Sequence, residues 1–147
     1  YKNKGRANIQ KIPTPWKVQR NPKTGKIIKA FPEKKSTVDF IGMAHGRGIA
    51  FEAKSTRERT RFPLKNIEPH QINFLKMWKD QGGVSFLLVE FEKHQEVYFL
   101  PFDDCLEWWN QMKDGGRKSI PYDWFVFNCD LVKSRNGVLL DYLKHCR

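Results

Sequence analysis

Several things are scarce in this 147-residue chain, and each absence narrows the field. Its three cysteines, Cys105, Cys129 and Cys146, are odd in number, far apart and never in a C-x-x-C pair. That excludes a disulfide scaffold and a cysteine zinc knuckle, and it suits reduced thiols in a cytoplasmic protein. No apolar run approaches the about 18 residues needed to span a bilayer, no signal-peptide pattern is present, and no basic amphipathic helix suggests a membrane partner. The four histidines, His45, His70, His94 and His145, lack the i,i+3 or i,i+4 spacing of a zinc site and read as structural or solvent-facing. No Ser-His-Asp, Cys-His or phosphate-loop pattern occurs. Acid is also rare at one end: residues 1–35 hold eleven lysines and arginines against the single carboxylate Glu33. The other residues carry 16 cations and 15 anions, so nearly all of the +11 net charge lies in the first quarter. Such an asymmetric basic segment is the footprint of a polyanion partner, with nucleic acid the leading class.

What is present reads as one folded domain, 1–147, with 39% hydrophobic and 14% aromatic residues. The chain starts at Tyr1 without a methionine, and an N-terminal segment is expected to precede it. The N-terminal third reads as an arm. Two short runs flank Asn21-Pro22-Lys23-Thr24-Gly25, which is turn chemistry, so residues 16–31 are expected to form a projecting basic β-hairpin. Strands are expected at 38–44 and 49–55, joined by His45-Gly46-Arg47-Gly48. A helix from Pro69 to Gly82-Gly83 follows, with Ile72, Leu75 and Trp78 on one face. "VSFLLVEFE" and "VYFLPF" read as central strands, and "DDCLEWWNQMKDGG" as a second helix with Asp103 or Asp104 as its N-cap. The C-terminal part is not readable from pattern alone. Trp78, Trp108, Trp109 and Trp124 suit a core or a dimer interface, whereas Trp16, among lysines, suits stacking on an unpaired base.

Three charges interrupt the two strands of "STVDFIGMAHGRGIAFEAKS" (36–55). Glu52 and Lys54 are two apart and therefore share a sheet face. If the hairpin turns about Gly46-Arg47, Asp39 faces Lys54 and Ile41 faces Glu52, while Phe40 and Phe51 cover the opposite face. Buried charges must pair, bind a cation or meet solvent. One lysine cannot neutralise two carboxylates, and the surplus negative charge suits a divalent cation. Acid, then acid-x-Lys, is thereby a complete set for phosphodiester hydrolysis: two carboxylates for the metal and an ammonium to orient water or meet developing charge. Arg57, Arg59 and Arg61, beside Arg47, are expected to line a phosphate-binding groove, and Arg117 and Lys118 of "GGRKSI" are further DNA candidates.

Asp39 followed by "FEAK" resembles the PD-(D/E)xK nuclease pattern, with Val38 in place of the proline. "KIPTP" (11–15), "STVDFIG" (36–42), "IAFEAKST" (49–56), "FPLKNIEPHQI" (62–72), "GGRKSI" (115–120) and "LDYLK" (140–144) occur in the same order in RecU-type Holliday junction resolvases. The resemblance covers essentially the whole chain. It implies an α/β, restriction-endonuclease-like mixed central sheet flanked by helices with a protruding basic hairpin stalk. It also implies a homodimer that resolves four-way DNA junctions by paired symmetric nicks during homologous recombination and repair, using Mg²⁺ or Mn²⁺. By this resemblance Asp39, Glu52 and the Ala53 backbone carbonyl hold the metal, Lys54 is catalytic, and Gln71 approaches the site. Ser36 and Thr37 contact the scissile phosphate, Lys11 handles DNA, and Lys17, Arg20, Lys23, Lys26 and Lys29 arm the stalk. The host's recombinase or branch-migration machinery would be further partners. Relatives carry another acid on a helix that lies before the segment starting here at Tyr1. A non-catalytic junction-binding protein and a linear-duplex nuclease are the competing classes.

Overall fold

The structure, a computed structural model, describes residues 7–13, 16–32 and 38–132. A six-stranded mixed sheet carries the molecule, in the order β1 (Ala7–Lys11), β4 (Phe40–Ala44), β5 (Arg47–Thr56), β7 (Val84–Phe91), β8 (Glu96–Pro101), β10 (Asp130–Val132). Only β5 and β7 run parallel, and α1 (Pro69–Asp80) makes the crossover between them. The other neighbours are antiparallel. This is a mixed α/β sheet flanked by helices, as the resemblance implied.

Alternation along the strands sorts the side chains into two layers. Ala50, Leu87, Val89 and Leu100 face one way, under Ile72 and Leu75 of α1, Phe102, Cys105 and Trp109 of α2 (Phe102–Lys113), and Phe125 of α3 (Tyr122–Asn128). On the reverse face Phe40, Phe51, Phe86 and Phe99 stack across four strands, with centroid spacings of 4.7, 4.7 and 4.5 Å. β7 is buried on both faces from Ser85 to Val89, which explains its unbroken apolar run. Trp109 is buried, and Trp78, Trp108 and Trp124 pack against the helix-side core. Among the described residues no helix is long and apolar enough to cross a membrane.

Four expectations are corrected. The β4–β5 hairpin does not turn about Gly46-Arg47 but on His45-Gly46, both at positive φ (53° and 75°), the two-residue turn whose twist matches the strands. Phe40 therefore faces Phe51 and Ile41 faces Ala50, a register two residues from the one expected. The slip is even, so every side chain stays on its assigned face. The second helix starts two or three residues earlier, with Pro101 instead of Asp103 or Asp104 at its N-cap. Asp103 and Asp104 lie in the first turn, where carboxylates meet the helix dipole without capping it. The N-terminal third is not all arm: Ala7–Lys11 is an edge strand of the main sheet, and Ala7 and Ile9 pack on the aromatic face.

The basic hairpin is as expected. Among the described strands β2 (Trp16–Arg20) and β3 (Ile27–Pro32) pair only with each other, with a bulge between Gln19 and Arg20. Asn21 organises the turn: its Oδ1 accepts from the Lys23 and Thr24 N–H groups, and Gly25 takes φ 73°. A third small sheet joins β6 (Arg61–Pro63) to β9 (Ser119–Pro121) and ties the basic loop after β5 to α3.

Candidate active site

Asp39, Glu52 and Lys54 come together on the helix-covered face. Asp39 lies one residue before β4, opposite Glu52 in the observed register, and its backbone N–H donates to Glu52 Oε1 at 2.7 Å. Glu52 has no exposed surface, and among the described residues its second oxygen, Oε2, receives no hydrogen bond. Among the described residues its cationic partner is Lys54, with Nζ at 3.8 Å, an ionic contact beyond hydrogen-bond length, and the Lys54 side chain keeps 19% of its surface. A buried acceptor left bare beside a second carboxyl is unfavourable unless something else supplies positive charge.

Electrostatics point the same way. Burial first, then the neighbouring Asp39 carboxyl, push Glu52 up to about 8, against the pull of Lys54. Without a cation, two adjoining carboxyls resolve their repulsion by holding a proton. Asp39, Glu52 and the Ala53 carbonyl are all hard oxygen donors, the kind that magnesium and manganese prefer. The donor chemistry and the orphaned Glu52 Oε2 therefore fit a divalent ion.

The remaining predicted residues divide. Gln71 is buried, and its Oε1 accepts from the Glu68 N–H at 2.8 Å in a reciprocal capping box, so it has a structural task that starts α1. Lys11 is exposed on β1 opposite Phe40, and this pleat position puts it on the aromatic face, away from Asp39. The next residue, Ile12, donates its N–H to the Asp39 carbonyl at 2.7 Å, tying the edge strand to the site. Lys23 and Lys26 are exposed at the hairpin turn, and Arg20 Nη1 donates to the Gly25 carbonyl. Lys17 and Lys29 lie on β2 and β3. Arg57 and Arg61 are ion-paired to Glu92 and Glu58 at 3.6 and 3.7 Å. Arg117 and Lys118 are exposed ahead of β9. Ser36 and Thr37 lie outside the described residues. Sequence reasoning missed the grip of the Asp39 and Ile12 amides on the site, because a main-chain donor leaves no mark in side-chain pattern.

The family model described as "Recombination protein U" matches residues 1–147. The chain belongs to the RecU family. It is 40% identical over 147 residues to the Holliday junction resolvase RecU of Oceanobacillus iheyensis, covering 97% of this chain and 75% of that one. The RecU resolvase of Geobacillus kaustophilus is 40% identical over 125 residues, covering 82% and 62%, and that of Pediococcus pentosaceus 36% over 148 residues, covering 98% and 74%. This RecU chain thus spans between 62% and 75% of the length of those relatives. Among solved structures, the Holliday junction resolvase Hjc of Archaeoglobus fulgidus matches with a TM-score of 0.41 and 13% identity, covering 76% of this chain and 78% of that one. That likeness is too loose to carry weight.

Proposed function

We propose that this chain is the nuclease body of a Holliday junction resolvase, a divalent-metal-dependent endodeoxyribonuclease that nicks two strands of a four-way DNA junction symmetrically. RecU membership supplies the substrate class. The buried, unsatisfied Glu52 Oε2 beside Asp39 carries the chemistry.

Asp39, Glu52 and the Ala53 carbonyl would hold Mg²⁺ or Mn²⁺. Such an ion, when bound, polarises the phosphoryl oxygen and makes bound water more acidic. The chain's own groups do the rest. The Asp39 amide fixes the Glu52 carboxylate so that only Oε2 is free, which orients the donor set before substrate arrives. Lys54, partly exposed on the same face, holds its ammonium where it can orient the attacking water or meet negative charge on the phosphorus oxygens. Gln71 spends its carbonyl oxygen on the helix cap, leaving its amide nitrogen as a donor toward water or phosphate. A pair of such chains related by a two-fold axis would present two sites to a two-fold substrate, which accounts for paired nicks. The basic hairpin, 16–31, would enter the junction, and phosphate contacts would dominate affinity.

The test is cleavage of a mobile four-way junction and of linear duplex, each with Mg²⁺ or Mn²⁺. Paired symmetric nicks in the junction, lost in Asp39→Asn, are expected. Equal cutting of both DNAs would replace this reading with a linear-duplex nuclease, and binding without cutting under either metal would replace it with a non-catalytic junction binder.

A further inference from the structure

The loop Arg57-Glu58-Arg59-Thr60-Arg61 begins three residues after Lys54, and its three arginines are not equivalent. Arg57 Nε lies 3.6 Å from Glu92 Oε2, and Arg61 Nη2 lies 3.7 Å from Glu58 Oε1. Arg59 is exposed and meets no carboxylate among the described residues.

Yet the backbone of Arg59 is held firmly. His94 Nε2 lies 2.8 Å from the Arg59 carbonyl, and since a carbonyl only accepts, His94 carries a proton on Nε2. The next carbonyl, of Thr60, accepts from the Tyr122 N–H at 2.8 Å. The two donors form one unit. The His94 and Tyr122 rings stack at 3.9 Å with 9° between planes, and the Tyr122 hydroxyl donates to the Glu96 carboxylate, which also accepts from Tyr98 at 3.1 Å. Two successive carbonyls are thus drawn onto the protein from the β7–β8 connection and the start of α3. Beside the loop, at the end of the catalytic strand, lies a polar cleft of about 460 Å³ lined by Ser55, Thr56, Arg57, Glu58, Lys65 and Glu92 among others. Lys65 likewise has no carboxylate partner among the described residues.

We infer that Arg59 and Lys65 contact backbone phosphates of the DNA strand beside the cleaved bond, and that His94 and Tyr122 are positioning residues for Arg59. The inference rests on the nuclease reading and sharpens it. An exposed ion pair contributes little, so freeing Arg57 or Arg61 is easy, but it leaves Glu92 or Glu58 facing a phosphate. Arg59 and Lys65 are ion-paired to neither acid. Arg57 and Arg61 serve chiefly to neutralise those two acids.

The experiment is junction binding by the intact chain in EDTA, titrated across salt concentration. Arg59→Ala and Lys65→Ala are each expected to lower the slope of log K against log salt by about 0.9, the loss of one phosphate contact. Arg57→Ala and Arg61→Ala are expected to lower it by less than half as much. His94→Ala should weaken binding several-fold in the wild-type background and have little effect once Arg59 is alanine, whereas His94→Gln, which keeps a donor, should restore binding. An unchanged slope in both Arg59→Ala and Lys65→Ala overturns the phosphate contacts. An equal His94→Ala loss with and without Arg59 overturns the positioning role. Should His94→Ala fail to fold, His94→Gln against wild type decides: weakened binding with the donor kept overturns that role. Failure of the wild-type chain itself to bind junctions overturns the resolvase reading, a separate result.

Discussion

The backbone N–H of Asp39 donates to Glu52 Oε1 at 2.7 Å, so the first carboxylate residue of the site holds the second one still. One Glu52 oxygen is satisfied by the main chain of the neighbouring strand, and the other is buried without a hydrogen bond among the described residues. A pair built only for stability would have satisfied both. The arrangement spends folding free energy on a vacant acceptor, as active sites do.

Glu52→Gln separates function from stability. An amide removes the carboxylate a metal needs, so junction cleavage should fall by about 1,000-fold or more, corresponding to the several kcal/mol of charge stabilisation a metal supplies. The same variant should melt no lower than wild type in EDTA at pH 8.5, because it buries no charge. A clearly lower melting temperature would show that the Glu52 charge stabilises the metal-free fold.

The pH dependence of the metal-free protein follows from that carboxyl. Its folded pKa is raised from 4.5 to about 8, so its contribution to stability is fully present below the unfolded value and is lost as pH rises through the folded one. Melting temperature measured in EDTA should therefore decline between about pH 5 and pH 9, beyond whatever trend Glu52→Gln shows. Identical pH curves for the two proteins would mean that Glu52 titrates normally.

Metal binding should release protons. At pH 7 a Glu52 raised to about 8 is mostly protonated, and a divalent ion needs the carboxylate. Calorimetric titration with Mn²⁺ in buffers of different ionisation enthalpy should give close to one proton released at pH 7, and much less at pH 9. Wild type should be thermally stabilised by the ion and Asp39→Asn should not. Equal stabilisation of both would place the metal elsewhere.

Gly42→Ala tests the edge strand. A Cβ there would overlap the Asn8 carbonyl and sit 2.7 Å from Ile9 Cα, main-chain atoms that cannot swing away. β1 must shift, with it the Ile12 amide that donates to the Asp39 carbonyl. A stability loss of about 1–3 kcal/mol is expected from overpacking, together with slower cleavage. Full activity in a folded Gly42→Ala protein would show that β1 does not support the site.

Replacing residues 16–31 with a short Gly-Ser turn should leave the body folded, because β2 and β3 pair only with each other among the described strands. Cleavage should persist while the preference for junction over linear duplex shrinks. Undiminished preference would assign junction selection to another surface.

Composition and period alone determined a great deal here. Alternation placed Glu52 and Lys54 on one face and Phe40 and Phe51 on the other, Pro69 and Gly82-Gly83 bounded α1, and Asn21 to Gly25 marked the hairpin turn. These are local consequences of backbone geometry and survive any tertiary arrangement. Tertiary structure decided what pattern leaves degenerate. Two registers two residues apart bury the same side chains, and only the His45-Gly46 turn chose the one in which Asp39 grips Glu52. Ala7–Lys11 is too short and polar to announce a strand, yet the open edge of β4 recruits it. The arginines of the loop look alike in sequence; Glu58 meets Arg61 within the loop itself, but only folding placed Glu92 beside Arg57 and left Arg59 without a counter-charge among the described residues. Side-chain periodicity is written in the chain, whereas main-chain donors and long-range counter-charges exist only once the chain has folded.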